Sequence, residues 1–133
     1  MVYLLCLLLC FMTPFKYSSF RYGSIDRKNI KTRFNLHNLV ETHHLIPKQW
    51  KNHPVLIKYG YDVSENYNLM FMPTILGVKK LNTNRLLHSG GHTPYNKYVK
   101  YNLDLIDTID HLDDFRKYLR FSMKGNPDGI PWK

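Results

Sequence analysis

The chain opens on an unbroken apolar run, Met1 to Met12. The run is shorter than the roughly 20 residues a membrane-spanning helix needs, and has the length of a signal-peptide core. No Lys or Arg precedes it, and Thr13-Pro14-Phe15-Lys16 is a poor small-residue cleavage site. Two readings stay open: a signal or membrane anchor, which would make the protein secreted or membrane-associated, and a buried segment of an intracellular protein. Lys16 to Arg33 is basic and lacks periodicity, and is expected to be a loop or arm. Imperfect alternation at Phe34, Leu36, Leu39 and Val40 predicts a short strand entering Thr42-His43-His44. Pro47 to Tyr59 is expected to be helical, with Trp50, Val55, Leu56 and Tyr59 on one face, Pro54 threatening continuity and Gly60 as the stop.

Asn66-Tyr67-Asn68 is a turn signal into Leu69-Met70-Phe71-Met72-Pro73, a short apolar strand closed by its proline. Thr74 to Leu87 reads as a basic connection. Thr93 as N-cap and Pro94 as first helical residue, with Tyr95, Val99, Leu103 and Ile106 at helical steps, predict one helix. A second is expected from about Asp113 to Lys124. Asp113 and Asp114 suit its N-terminal dipole, Lys117, Arg120 and Lys124 its C-terminal end, and Gly125 the stop. The expected organisation is an apolar segment over 1–15, a basic arm over 16–33, one domain over 34–124 and a tail over 125–133.

Composition supports a single globular domain, since 133 residues with 44% hydrophobic and 22% charged side chains are neither disordered nor enough for several domains. Charge adds a partner class. Nineteen Lys and Arg against ten Asp and Glu leave +9, which suits a polyanion such as nucleic acid or an anionic membrane face. The surplus is concentrated in residues 1–60, which carry nine basic and two acidic side chains. There is no alanine, alongside eleven Asn and thirteen Lys, a bias expected of an A/T-rich genome such as a giant virus or a parasite. Both cysteines, Cys6 and Cys10, lie in the apolar run, so a metal bound elsewhere must be held by His, Asp, Glu or Asn.

Seven histidines are present, and four form two tight groups, His43 with His44 and His88 with His92. Imidazole ligates divalent metals, and its near-neutral pKa also suits a general base. Both groups sit at expected element ends, where side chains converge. Neighbours on a strand point to opposite faces, so His43 and His44 reach one site only if the backbone twists there.

Three ordered segments, Thr42-His43-His44-Leu45-Ile46-Pro47, Asn68-Leu69-Met70-Phe71-Met72-Pro73 and His88-Ser89-Gly90-Gly91-His92-Thr93-Pro94-Tyr95, resemble the AHH subgroup of the HNH, or ββα-metal, nuclease superfamily. The likeness covers about residues 38–107, with Thr42 where the subgroup has Ala. It implies an α+β fold: a small α-rich single domain around a hairpin-plus-helix core that cleaves phosphodiester bonds with one divalent metal (Mg, Mn, Zn or Ni). By position it implies that His43 ligates the metal, His44 activates water, and Asn68 fixes the loop of the base or approaches the metal. His92 becomes a further ligand, and His88 a ligand or a phosphate contact.

The implied partner is nucleic acid, DNA in preference to RNA. Lys48, Lys51, Lys58, Lys97 and Lys100 flank the motifs and are candidates for phosphate contacts, while Tyr95 and Tyr98 either stack on bases or form core and groove wall. Three alternatives remain: a basic binding module without catalysis, a secreted nuclease toxin or effector, and a structural zinc site closed by four histidines.

Overall fold

The computed structural model describes residues 14–125 and 127–133. The apolar run, with both cysteines, lies outside the described residues, and no helix among those described is long and apolar enough to cross a membrane. The elements run α1 (Ile25–Arg33), β1 (Val40–His44), α2 (Pro54–Lys58), β2 (Leu69–Pro73), α3 (Ile75–Lys80), α4 (Thr93–Leu105) and α5 (Ile109–Gly125). The two strands pair antiparallel, Val40 opposite Pro73 and His43 opposite Met70. This is the expected mixed α+β domain.

One core joins the sheet to the two long helices. Tyr95, Val99 and Leu103 line one face of α4, and Leu112, Phe115, Leu119 and Met123 one face of α5; all are buried against Leu45, Ile46, Leu56 and Met72. Each such Leu, Val or Phe contributes about 1.5–3 kcal/mol by leaving water. The apolar periodicity of α4 therefore marked the core directly.

Several boundaries differ from expectation, each with a physical reason in the structure. The expected basic arm contains α1. Ser24 caps it by accepting from the Arg27 amide at 3.2 Å, and Arg27, its one buried side chain, donates to the Phe20 carbonyl and to Asn66 Oδ1 at 3.0 and 2.9 Å. A helix anchored by an arginine has no apolar stripe to read. The strand starts only at Val40, because Asn35 and Asn38 adopt φ of 52° and 64° and turn the chain between α1 and β1.

Pro54 does divide its segment. A 3-10 turn at Lys48–Trp50 is followed by α2, whose cap is His53, the imidazole Nδ1 accepting from Val55 N at 3.2 Å. The expected connection after β2 holds α3, capped by Thr74. Gly77 in α3 lies so close to Leu39 that a Cβ would collide with its carbonyl oxygen.

The cap of α4 is His92 rather than Thr93, since the His92 carbonyl accepts the first helical bond, from Asn96 N at 3.1 Å. α5 begins at Ile109, earlier than expected, after Thr108, whose hydroxyl accepts from His111 N at 3.1 Å. Asp113 is consequently interior to the helix and buried, bonded to Arg116 and Lys117, and does not serve the helix terminus. The expected tail is also structured: it forms a 3-10 turn at Pro127–Gly129 and buries Ile130.

Candidate active site

The end of β1 is held by a buried amide. Asn68, fully inaccessible, accepts from Ile46 N at 2.8 Å and from the Tyr61 hydroxyl, and donates to the carbonyls of Ile46 and Val63 at 3.0 and 2.8 Å. All four capacities of the side chain are used inside the protein. The Leu45 amide bonds Asn68 O at 2.8 Å, and the Tyr95 hydroxyl donates to Leu45 O. Asn68 therefore fixes the residues that leave His43 and His44, with its amide engaged inside the protein.

His43 projects from this braced strand end beside His88 and His92. The three rings lie 5.3, 5.3 and 5.6 Å apart by centroid, and one nitrogen from each falls within 4.8 Å of the others. His43 is 2% exposed, and its buried Nε2 makes no hydrogen bond. The Nδ1–H of His88 donates to Glu41 Oε2 at 2.7 Å, and that of His92 donates to Asn96 Oδ1 at 3.0 Å. With Nδ1 donating, the Nε2 lone pair of each ring is free, the arrangement in which a carboxylate or amide orients a metal-binding histidine.

Burial, reinforced by His88 and the other histidines, holds the His43 pKa well below its ordinary value; burial also lowers that of His92, against the bond to Asn96. Neutral imidazole is the ligating form. An orphaned buried nitrogen, oriented neighbours and the lowered pKa of His43 and His92 together fit a divalent metal. Three such ligands would leave a coordination position open, unlike a structural site closed by four.

His44 lines the same 260 Å³ pocket as these three, together with Thr42, Pro47, Lys48, Gln49 and Asn96. Two adjacent strand residues thus reach one site, at the strand end where regular pairing stops. The His44 Nε2 is buried without a partner and its ring lies 4.8 Å from that of Tyr22. Burial first, then the charges of Lys48 and Arg27, lower its pKa to about 4. His44 is accordingly neutral near pH 7.

Of the expected phosphate contacts, only Lys48 lines this pocket. Lys51 borders a neighbouring groove with Lys48; Lys58 and Lys100 line a separate groove with His53 and Asp104; Lys97 is exposed on α4 and lines neither the histidine pocket nor the groove beside it. Tyr95 cannot stack on a base. It is wholly buried, because its ring packs under the histidines and its hydroxyl is tied to Leu45 O.

Three residues escaped the sequence reading. Asn96 had a readable signal, one helical turn from His92, whereas Glu41 and Trp132 had none. Trp132 stacks on His92 at 4.7 Å and meets the His43 ring edge-on at 5.1 Å, while its indole N–H donates to Leu87 O at 3.1 Å.

No curated protein and no solved structure matches the chain. A family model does, over residues 26–120, a wider stretch than the three motifs, reaching back through α1 and forward into α5. That model describes a nuclease family of the HNH/ENDO VII superfamily with a conserved AHH, the place held here by Thr42-His43-His44, and the chain belongs to this AHH nuclease family.

Proposed function

We propose that the protein is a metal-dependent endonuclease in which His43, His88 and His92 hold one divalent ion and His44 is the general base. The observation that carries this reading is the convergence of three imidazoles, one with an orphaned buried Nε2, beside a fourth whose own Nε2 is free. A divalent metal bound there supplies positive charge to the scissile phosphate. His44 takes the proton of the attacking water at Nε2, Lys48 attracts the phosphate across the pocket, and Asn68 acts as a positioning residue that keeps the strand end rigid.

DNA is the preferred substrate on this reading. The retention of every ligand, of the base and of the bracing amide favours catalysis over a binding-only module. Incubating the full chain with plasmid, linear duplex and RNA, with chelator and with each of Mg, Mn, Zn and Ni, tests it. Cleavage of closed circular plasmid that chelator abolishes is expected; no cleavage with any metal would overturn the proposal.

A further inference from the structure

A second groove, of 440 Å³, opens beside the histidine pocket and shares Thr42 and His88 with it. Its other wall is α1, with Arg27, Lys28 and Lys31. We propose that this groove binds the nucleic-acid backbone at the phosphates next to the scissile one. The inference rests on the nuclease reading above and adds a substrate track to it.

The groove wall holds a buried cation that faces no carboxylate, its guanidinium carbon 4.9 Å from the centre of the Phe71 ring. Arg27 is 7% exposed, yet it has no ion pair among the described residues: its guanidinium donates only to the neutral Phe20 carbonyl and Asn66 amide, and its buried Nε has no partner. Arg21 and Arg116, by contrast, each face a carboxylate. A buried cation without a counter-charge is costly, and an anion drawn into the groove offsets that cost. Burial first, then the nearby Arg120, lowers the Arg27 pKa.

The remaining lining charges are predominantly positive. Lys28 is exposed and Lys31 half-buried, and the only acid in the groove, Glu41, is engaged by His88 at 2.7 Å. Tyr22, 49% exposed, stands between the two cavities, its ring 4.8 Å from His44 and 5.3 Å from Lys48 Nζ. A strand crossing the histidine centre therefore meets positive charge on the α1 side and a half-open aromatic ring beside the proposed base. The arm read from sequence only as generally basic becomes one wall of a defined track.

The test is nucleic-acid binding by the full chain in chelator, where no cleavage occurs, read by fluorescence anisotropy of a labelled duplex across a salt series. Lys28→Ala/Lys31→Ala changes two exposed or half-buried side chains of α1 without touching the core. It is expected to weaken binding about tenfold and to flatten the slope of log K against log salt by roughly 1.8, at about 0.9 for each phosphate left without its lysine. Its metal affinity, measured by calorimetry, stays at the wild-type value.

Lys58→Ala/Lys100→Ala, on the separate groove, keeps the wild-type slope. An unchanged slope in the Lys28/Lys31 variant, or a flattened one in the Lys58/Lys100 variant, overturns the track even if the wild type cleaves normally. A wild type that neither binds nor cleaves overturns the nuclease reading together with the track.

Discussion

Trp132 lies against His92 with ring planes 25° from parallel and centroids 4.7 Å apart. The indole also contacts His88 and Tyr95, so a residue beyond the matched stretch of 26–120 forms one wall of the histidine cluster. Its N–H to Leu87 O anchors the backbone just ahead of His88. Trp132→Ala is expected to weaken metal affinity by about 10- to 100-fold, the usual effect of losing a residue that orients a ligand. Calorimetric titration with zinc checks this, with circular dichroism verifying that the fold persists; wild-type affinity would show the indole to be mere packing.

The adjacent histidines should separate cleanly. His44→Ala is expected to retain the metal and lose about 10²- to 10⁴-fold in cleavage rate, the range for a positioned general base. His43→Ala and His92→Ala should lose metal affinity as well, with partial recovery at raised metal concentration, because mass action refills a weak site but does not replace a base. Equal affinity losses in the His43 and His44 variants would contradict the assignment.

Glu41 has opposite effects on the two cavities. Its carboxylate orients His88, and it is also the one acid lining the α1 groove. Glu41→Gln is therefore expected to weaken metal binding about tenfold or more while strengthening metal-free nucleic-acid binding. Titrating metal and oligonucleotide separately distinguishes this from general damage, which would lower both.

Asn68→Ala removes an amide that serves four buried partners, Ile46 N, Ile46 O, Val63 O and the Tyr61 hydroxyl. Each buried group left unsatisfied costs about 1–3 kcal/mol, so the loss is expected to reach at least about 3 kcal/mol in urea unfolding. A variant as stable as wild type but inactive would move Asn68 from bracing to chemistry.

The metal-free protein should be acid-sensitive. His43, His44 and His92 have folded pKa values below the ordinary 6.5, His44 at about 4, all through burial first. The unfolded chain then binds more protons between about pH 6.5 and 4, so stability rises with pH across that window and falls as pH drops through it. Asp113 adds to the same trend at lower pH. Its burial would raise its pKa, but Lys117 and Arg116 outweigh that and hold it below the usual carboxylate value, so its contribution disappears as pH falls through the folded pKa. Urea midpoints in chelator at pH 7.5 and 5 should therefore diverge, and His44→Gln should narrow the gap; equal midpoints would mean the rings are solvated.

Local chemistry made the proposed ligands and the base legible. His43-His44, Asn68 and His88 with His92 are short-range patterns at element ends, and the strand Leu69–Pro73 and helix Thr93–Leu105 declare themselves through apolar spacing and turn residues. Helix α1 was hidden because its anchor is a charged side chain reaching Asn66, 39 positions away, where periodicity carries no signal. The same holds for Glu41 and His88, 47 positions apart, and for Trp132 and Leu87, 45 apart. Tyr95 was recognisable as a helix residue but not as the floor of the site, since only the return of β1 over α4 brings Leu45 O to its hydroxyl. Spacing along the chain determines which residues share a face; which faces meet, and hence which polar groups lose water and require a partner or a bound ion, was decided by the long-range packing.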